Sequence, residues 1–237
     1  MRVAERIATP EGKRRYVRAL FATIADRYDF ITIALSFGLD RRWKTRLVNL
    51  ASPAAGARAL DLATGTGDIA FALAARGADV VGLDITHRML VLARAKRREK
   101  FVVGDMMALP FPPRSFDIVT TGYGLRNVPS LTIAVDEIQR VLRPGGQLVS
   151  LDFNRPSNAV VRAAFLAYLT LVGAALGWIL HRDPDTYRYI PASLRLYPGA
   201  AGVTAMIRDR GFGDVAHHSV LGGLMSIHRA TRTRNED

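Results

Sequence analysis

The sequence predicts an α/β fold: a mostly parallel sheet with helices packed on both faces. Three observations carry this. From Arg58 to Phe153 short β-type runs alternate with helical stretches, the pattern of a parallel sheet covered on both sides. One of those runs ends in the small-residue loop Asp61-Leu62-Ala63-Thr64-Gly65-Thr66-Gly67-Asp68, which opens a helix, as at the ligand-binding edge of open α/β sheets. The chain has 237 residues, 49% hydrophobic and 23% charged, enough apolar material for one large core. A single domain over 1–237 is expected.

The elements follow in order. Residues 1–50 are expected to form a helical cap, because Tyr16, Leu20, Ile24 and Tyr28 recur at helical spacing. Ser52 to Gly56 is a loop. Arg58 to Ala63 is the first strand, and Gly65 to Arg76 is a loop and helix stopped by Gly77. Asp79 to Asp84 is the second strand, Arg88 to Arg98 a helix, Phe101 to Val103 the third strand and Phe116 to Thr121 the fourth. Leu131 to Leu142 keeps Leu131, Ala134, Val135, Ile138, Val141 and Leu142 on one side of a helix. Pro144-Gly145-Gly146 then turns into a fifth strand, Gln147 to Phe153. A helical insertion over 155–200 follows, with an uncharged run from Ala163 to Leu180. Ala201 to Arg210 is a helix, and Asp214 to Val220 with Leu224 to Ala230 make a hairpin around Leu221-Gly222-Gly223.

There is no cysteine, which excludes disulfides, thiolate metal sites and a thiol nucleophile. Net charge is +12, and 29 of the 33 basic residues are Arg. That balance suits anionic partners or a basic source composition. No RNA-binding motif is appended, so no nucleic-acid partner is expected. The first 18 residues are charged throughout, with no apolar core of a signal peptide, so a cytoplasmic location is expected. His217, His218 and His228 sit on the terminal hairpin, where adjacent side chains point to opposite faces; no spacing there makes a metal site.

The Asp61–Asp68 loop fits a dinucleotide fingerprint, with Asp84 ending the next strand to accept ribose hydroxyls. NAD and S-adenosylmethionine suit that pairing alike. Three features favour the methyl donor. Asp61 precedes the glycines, where a carboxylate faces a cationic methionine end and repels a pyrophosphate. Asp68 occupies the helix start that phosphates would need. Gly104-Asp105-Met106 after the third strand offers an acid and an apolar side chain to an adenine ring. The expected cofactor residues are Asp61, Thr64, Gly65, Gly67, Asp84, Met89, Asp105 and Met106, with Met89 equally readable as helix core.

These residues resemble the class I S-adenosylmethionine-dependent methyltransferases. Further stretches narrow the resemblance to the ubiquinone/menaquinone biosynthesis C-methyltransferase family: YDFITIALSFGLDRRWK from Tyr28 to Lys44, GLRNV from Gly124 to Val128, and RVLRPGGQL from Arg140 to Leu148 with Asp152-Phe153 beyond. YRYIPAS from Tyr187 to Ser193 and Leu221-Gly222-Gly223 complete the set. The likeness runs from Val17 to Arg229. The chain departs from the family pattern at Thr32 (usually Asn), Asp40 (usually His), Asp152 (usually Glu) and Asn154 (usually Ser), all in segments expected to face the acceptor.

The resemblance implies a Rossmann-like, seven-stranded sheet in the order 3-2-1-4-5-7-6 with an antiparallel last strand. It implies S-adenosylmethionine-dependent methylation of a ring carbon of a demethylated prenylquinol. Arg126 is then expected to hold a phenolate, Asn127 to orient a ring oxygen, and Tyr123 and Tyr28 to relay the phenolic proton. Methylation of another lipid or small molecule, such as a phospholipid amine, remains open, as does a non-catalytic cofactor-binding subunit. The 155–200 insertion is expected to be an apolar lid or a membrane-facing element, with Leu169 and Leu176 as the positions to test. Peripheral attachment to the inner face of the membrane, a homodimer and a quinone-synthesis complex are the partner expectations. No metal is expected.

Overall fold

The computed structural model describes residues 3–234. Inside the sheet lies β1 (Arg58–Leu62), flanked in parallel by β2 (Asp79–Asp84) and β4 (Phe116–Gly122). Ala59 to Leu62 are all buried, with no in–out alternation, because helices cover both faces. β3 (Lys100–Val103) extends the parallel sheet beyond β2, and β5 (Leu142–Phe153) beyond β4. β7 (Met225–Arg232) runs antiparallel to β5, and β6 (Phe212–Val220) antiparallel to β7. The order is β3-β2-β1-β4-β5-β7-β6, as expected. It reverses between β1 and β4, so a crevice opens beyond their carboxyl ends.

One strand is longer than the sequence suggested. The expected turn at Pro144-Gly145-Gly146 lies inside β5: Leu142 pairs with Phe116, and after a register shift Gln147 pairs with Ile118. Gly145 sits at φ 78°, a backbone setting that lets a strand carry extra residues as a bulge and resume pairing.

Four helices precede the sheet: α1 (Val3–Arg6), α2 (Pro10–Ile24), α3 (Tyr28–Leu35) and α4 (Asp40–Ala51). α4 belongs to the main core through Trp43, Leu47, Val48 and Ala51. α2 and α3 instead lie over the crevice. They are tied to it by Lys13 Nζ on the carbonyls of Arg126 (3.1 Å) and Val128 (2.6 Å), by Arg14 on Asp105 (3.0 Å), and by Thr66 Oγ1 on Asp29 (2.6 Å). Between the strands lie α5 (Asp68–Ala74), α6 (His87–Lys96) and α7 (Leu131–Val141). α9 (Tyr189–Leu196) and α10 (Gly199–Arg208) precede the hairpin.

The apolar run forms α8 (Ala159–His181), capped by the Asn158 carboxamide. By length and composition α8 could cross a membrane, and only 22% of its apolar stretch is buried. A crossing would separate β5 from β7, yet these two strands pair along seven residues. α8 therefore lies against the fold. Its buried stripe is Phe165, Leu169, Gly173 and Gly177, four residues apart and so on one face. A Cβ at Gly177 would come within 2.4 Å of the Asp183 carbonyl; glycine lets the following loop cross closely. Leu169 faces the core and Leu176 packs half-buried beside Tyr187, so neither marks the exposed face. Leu171, Trp178 and Ile179 do, at 71%, 61% and 71% exposure.

Candidate active site

Two cavities meet at the crevice. The first lies under α2 and is lined by Gly65, Asp84, Met89, Asp105 and Met106 among others. The turn that makes it is local. Ala63 (φ 50°) and Gly65 (φ 55°) take left-handed backbone after β1, and the Gly65 N–H donates to Asp84 Oδ2 at 2.9 Å. Thr86 N–H donates to the other Asp84 oxygen at 2.8 Å. Each carboxylate oxygen keeps a second lone pair for a hydroxyl. Burial pushes the Asp84 carboxyl above its usual range, against these backbone donors.

Three expected cofactor residues do not line this cavity. Asp61 is 1% exposed and accepts from Thr64 Oγ1 and Thr120 Oγ1, both at 2.7 Å. It lies behind the cavity wall rather than on it, and it ties the loop after β1 to β4. Burial raises its pKa to about 6. Gly67, at φ 92°, starts α5, and a Cβ there would strike the Phe71 ring at 2.6 Å; its part is the turn. Thr64 lines a small side cavity with Lys44 and Asp68. His217 and His228 also stand apart: His217 Nδ1 meets Thr204 Oγ1 at 2.9 Å and buried His228 Nε2 meets the Ala200 carbonyl at 3.1 Å.

The second cavity is lined by apolar side chains of α2 and α3, by Phe153 and by the Tyr187–Ile190 segment. Phe21, Tyr28, Tyr123 and Asn127 line both cavities. Asn127 donates from Nδ2 to the Tyr123 carbonyl at 2.7 Å, while its buried Oδ1 finds no partner among the described residues. Burial pushes the Tyr28 hydroxyl up to about 12. Tyr123 adopts φ 61°, unusual for an aromatic residue and frequent where geometry serves a site. Its hydroxyl donates to Asp40 Oδ1 at 2.6 Å. Burial first, and the Asp40 charge second, push that hydroxyl well above its usual range.

Arg126 lines the second cavity but is not a free cation. It is 5% exposed. Its backbone N–H and Nε donate to the two oxygens of Asp152 at 3.0 and 3.4 Å, and Nη1 donates to Ser193 Oγ. The guanidinium also lies over the rings of Phe153 and Tyr189, 5.4 and 5.8 Å from their centroids. This corrects the expectation of a cation reserved for the acceptor: its first partner is Asp152, and the pair helps hold the cavity wall together. Lys13 lies close by. Burial, and next the Arg126 charge, lower its pKa to about 8.

Lys13, Arg14 and Lys44 escaped the sequence reading as site residues, and Asp40 appeared only as a departure from the family pattern. Each reaches the site from a distant segment, so spacing carried no signal for them.

The comparisons agree with this geometry. A family model for the ubiE/COQ5 methyltransferase family matches residues 9–232. The chain belongs to that family. A demethylmenaquinone methyltransferase of Thermus thermophilus is 40% identical over 220 residues, covering 90% of this chain and 100% of that protein. A ubiquinone/menaquinone biosynthesis C-methyltransferase of Dinoroseobacter shibae is 37% identical over 227 residues, covering 92% and 91%. In fold, the chain is similar to an S-adenosylmethionine-dependent methyltransferase of Thermotoga maritima, with a TM-score of 0.68 at 19% identity, covering 92% of this chain and 100% of that one. This ubiE/COQ5 family member is an S-adenosylmethionine-dependent methyltransferase, and its first cavity suits that donor: two carboxylates, two methionines and close backbone.

Proposed function

We propose that this enzyme methylates a ring carbon of a demethylated prenylquinol, in menaquinone or ubiquinone synthesis, at a lipid surface. One observation carries the reading. A carboxylate-bearing cavity and an apolar cavity share Phe21, Tyr28, Tyr123 and Asn127 as their common wall, so a donor in one and a ring in the other would face each other there. The relatives named above support the choice of acceptor.

S-adenosylmethionine supplies a methyl group made electrophilic by its sulfonium. The chain's residues do the rest. Asp84 would hold the ribose hydroxyls and Asp105 the adenine amino group, and Met89 and Met106 would pack on the adenine ring. In the second cavity Asn127 Oδ1 accepts from a ring hydroxyl, and the Arg126–Asp152 pair holds the wall. Positioning the two reactants supplies much of the acceleration, and α2 over the crevice keeps water out. No metal is needed for this transfer.

The lipid surface is supported by exposed apolar side chains on two neighbouring helices. α3 leaves Phe30 and Ile33 more than half exposed, as is Phe37 in the turn just beyond it, while the helix's other face lines the acceptor cavity. Phe37 stacks on Tyr168 of α8 at 4.9 Å, and α8 adds Leu171, Trp178 and Ile179. A prenyl tail leaving the cavity past α3 would enter that apolar face. Large exposed apolar surfaces of this kind mark contact sites.

The test uses the purified enzyme, a long-tailed quinol in liposomes and a short-tailed quinol in solution. The wild type methylates both. Leu171→Glu with Ile179→Glu slows only the liposome substrate. Equal losses on both substrates overturn the lipid-facing role of α8. Failure of the wild type on either quinol overturns the acceptor.

A further inference from the structure

We propose that Asp40 receives the proton that the acceptor hydroxyl must lose, with the Tyr123 hydroxyl as the relay between them. The inference rests on the acceptor being a phenol-like ring, as proposed above.

Methylation of a ring carbon needs electron density from a neighbouring oxygen, so a hydroxyl proton must leave a dry cavity. Few groups there can take it. Arg126 is permanently protonated and has no lone pair to offer. Asp152 is closed off: its two oxygens already accept from Arg126 N–H and Nε and from Phe153 N–H, and it lines neither cavity. Tyr28 is buried, with its hydroxyl pushed up to about 12. Tyr123 alone among the shared wall residues hands its hydroxyl hydrogen to a carboxylate, Asp40 Oδ1 at 2.6 Å.

Asp40 is set for this part. It opens α4 at 5% exposure, with its backbone N–H on Ser36 Oγ at 3.1 Å. Its second oxygen meets Lys44 Nζ at 2.6 Å, one turn along the same helix, and Lys44 also reaches Asp68 Oδ2 at 2.9 Å. Burial works against the Lys44 ammonium, but Asp40 and Asp68 outweigh it and hold its pKa above the ordinary value. That cation lies against the Asp40 carboxylate, on the oxygen that does not face Tyr123. Asp68 is partly exposed, so the chain of charges runs from the cavity wall to the surface. The groups facing Asp40 are thus Tyr123 after β4, Lys44 on α4 and Tyr28 on α3, with Asp68 on α5 joined to it only through Lys44.

The step balances. The ring hydroxyl O–H breaks and its electron pair stays on oxygen. The proton passes to Tyr123 Oη as the phenol's own hydrogen moves to Asp40 Oδ1, so Tyr123 is unchanged and Asp40 becomes neutral. The ring carbon's electron pair forms the new bond to the methyl group as the methyl–sulfur bond breaks, that bond's pair staying on the now neutral sulfur. Its hydrogen then leaves as a proton to water, while the proton stored on Asp40 returns through Tyr123 to the ring oxygen. One proton per turnover is released.

The test is Asp40→Asn, which keeps an acceptor for the tyrosine but removes the base. We expect kcat on the quinol to fall about 100-fold or more, in the range of a lost proton acceptor. The quinol KM and the calorimetric donor affinity stay within a few-fold, and the residual rate climbs with pH as hydroxide replaces the carboxylate. Tyr123→Phe gives a similar fall, and the double variant is no slower than either single one. An ultraviolet titration, free of substrate, shows one tyrosine ionising at lower pH in Asp40→Asn than in wild type, and Tyr123→Phe removes that transition. A folded Asp40→Asn with wild-type turnover, or additive losses in the double variant, overturns the relay. Failure of the wild type to methylate the quinol is a different result, and it falls on the acceptor assignment.

Discussion

The two cavities share a wall but are built by different means. The donor cavity is made largely of backbone and of residues that follow β1, β2 and β3 directly: Gly65, Asp84, Asp105 and Met106 each lie at the end of a strand or within a few residues of it. The acceptor cavity is made of side chains from α2, α3, the loop after β4, the end of β5 and α9. Its polar contacts join residues far apart in sequence: Tyr123 with Asp40 across 83 positions, Arg126 with Ser193 across 67, and Lys13 with Arg126 across 113. A site that hangs on strand ends inherits its geometry from the sheet. A site assembled from packed helices depends on buried charges being paired, and it should be the more fragile half.

The sharpest break in that comparison is Arg126→Ala. It would leave the Asp152 carboxylate buried with only backbone donors. Breaking a buried pair by deleting one partner costs about 3–5 kcal/mol, a large part of the 5–15 kcal/mol that typically holds a domain together. The midpoint of urea unfolding should drop accordingly, and Arg126→Met with Asp152→Asn should recover part of it. Donor binding should persist in the fraction that stays folded. A variant of unchanged stability would show that the pair is not what supports the acceptor wall.

The same contrast explains what the sequence made legible. Strand–helix alternation and the glycine loop are local patterns, so the parallel sheet and most of the donor cavity could be read directly, while the strand order followed from the family resemblance. Asp61 was misjudged because its place in the motif says nothing about Thr120, 59 residues on, which takes one of its oxygens. Pro144-Gly145-Gly146 carries turn chemistry, yet sheet pairing on both sides kept it within β5. Arg126, Asn127, Tyr123 and Tyr28, expected at the acceptor, all line the second cavity, which is proposed to take it. Of their partners, Asp40 and Ser193 follow only from how the helices pack, and Asp152 from β5 lying beside β4. The exposed face of α8 was also hidden, because a run without charges has no visible phase until glycines at 173 and 177 are seen against their neighbours.

A middle-sized effect should come from the donor half. Asp84→Asn keeps the shape but presents an N–H where the carboxylate had accepted hydrogen bonds from backbone and, as proposed, from ribose. Hydrogen bonds to a charged group contribute about 1.5–3 kcal/mol each, so donor affinity measured by calorimetry should weaken roughly 10- to 100-fold. The KM for quinol should hardly move, since Asp84 does not line the acceptor cavity. Unchanged donor affinity would remove Asp84 from the ribose; a matching loss in quinol KM would mean that the two cavities do not behave as separate sites.

The smallest effect tests the cap. Arg14 meets Asp105 Oδ2 at 3.0 Å, but its side chain is 49% exposed, the opposite extreme from Arg126 with Asp152. Such pairs contribute about 0.2–1 kcal/mol and weaken with salt. Asp105 Oδ1 is already held by the Met107 N–H at 2.9 Å, so a donor amino group arriving at Asp105 must share or displace Arg14. Arg14→Gln should therefore leave the unfolding midpoint nearly unchanged and tighten donor binding, by no more than about 5-fold given the size of an exposed pair. The wild type should approach the variant as ionic strength rises. If Arg14→Gln weakens donor binding instead, the guanidinium is a contact of the bound donor, and α2 then contributes charge as well as cover to a cavity otherwise built from strand ends.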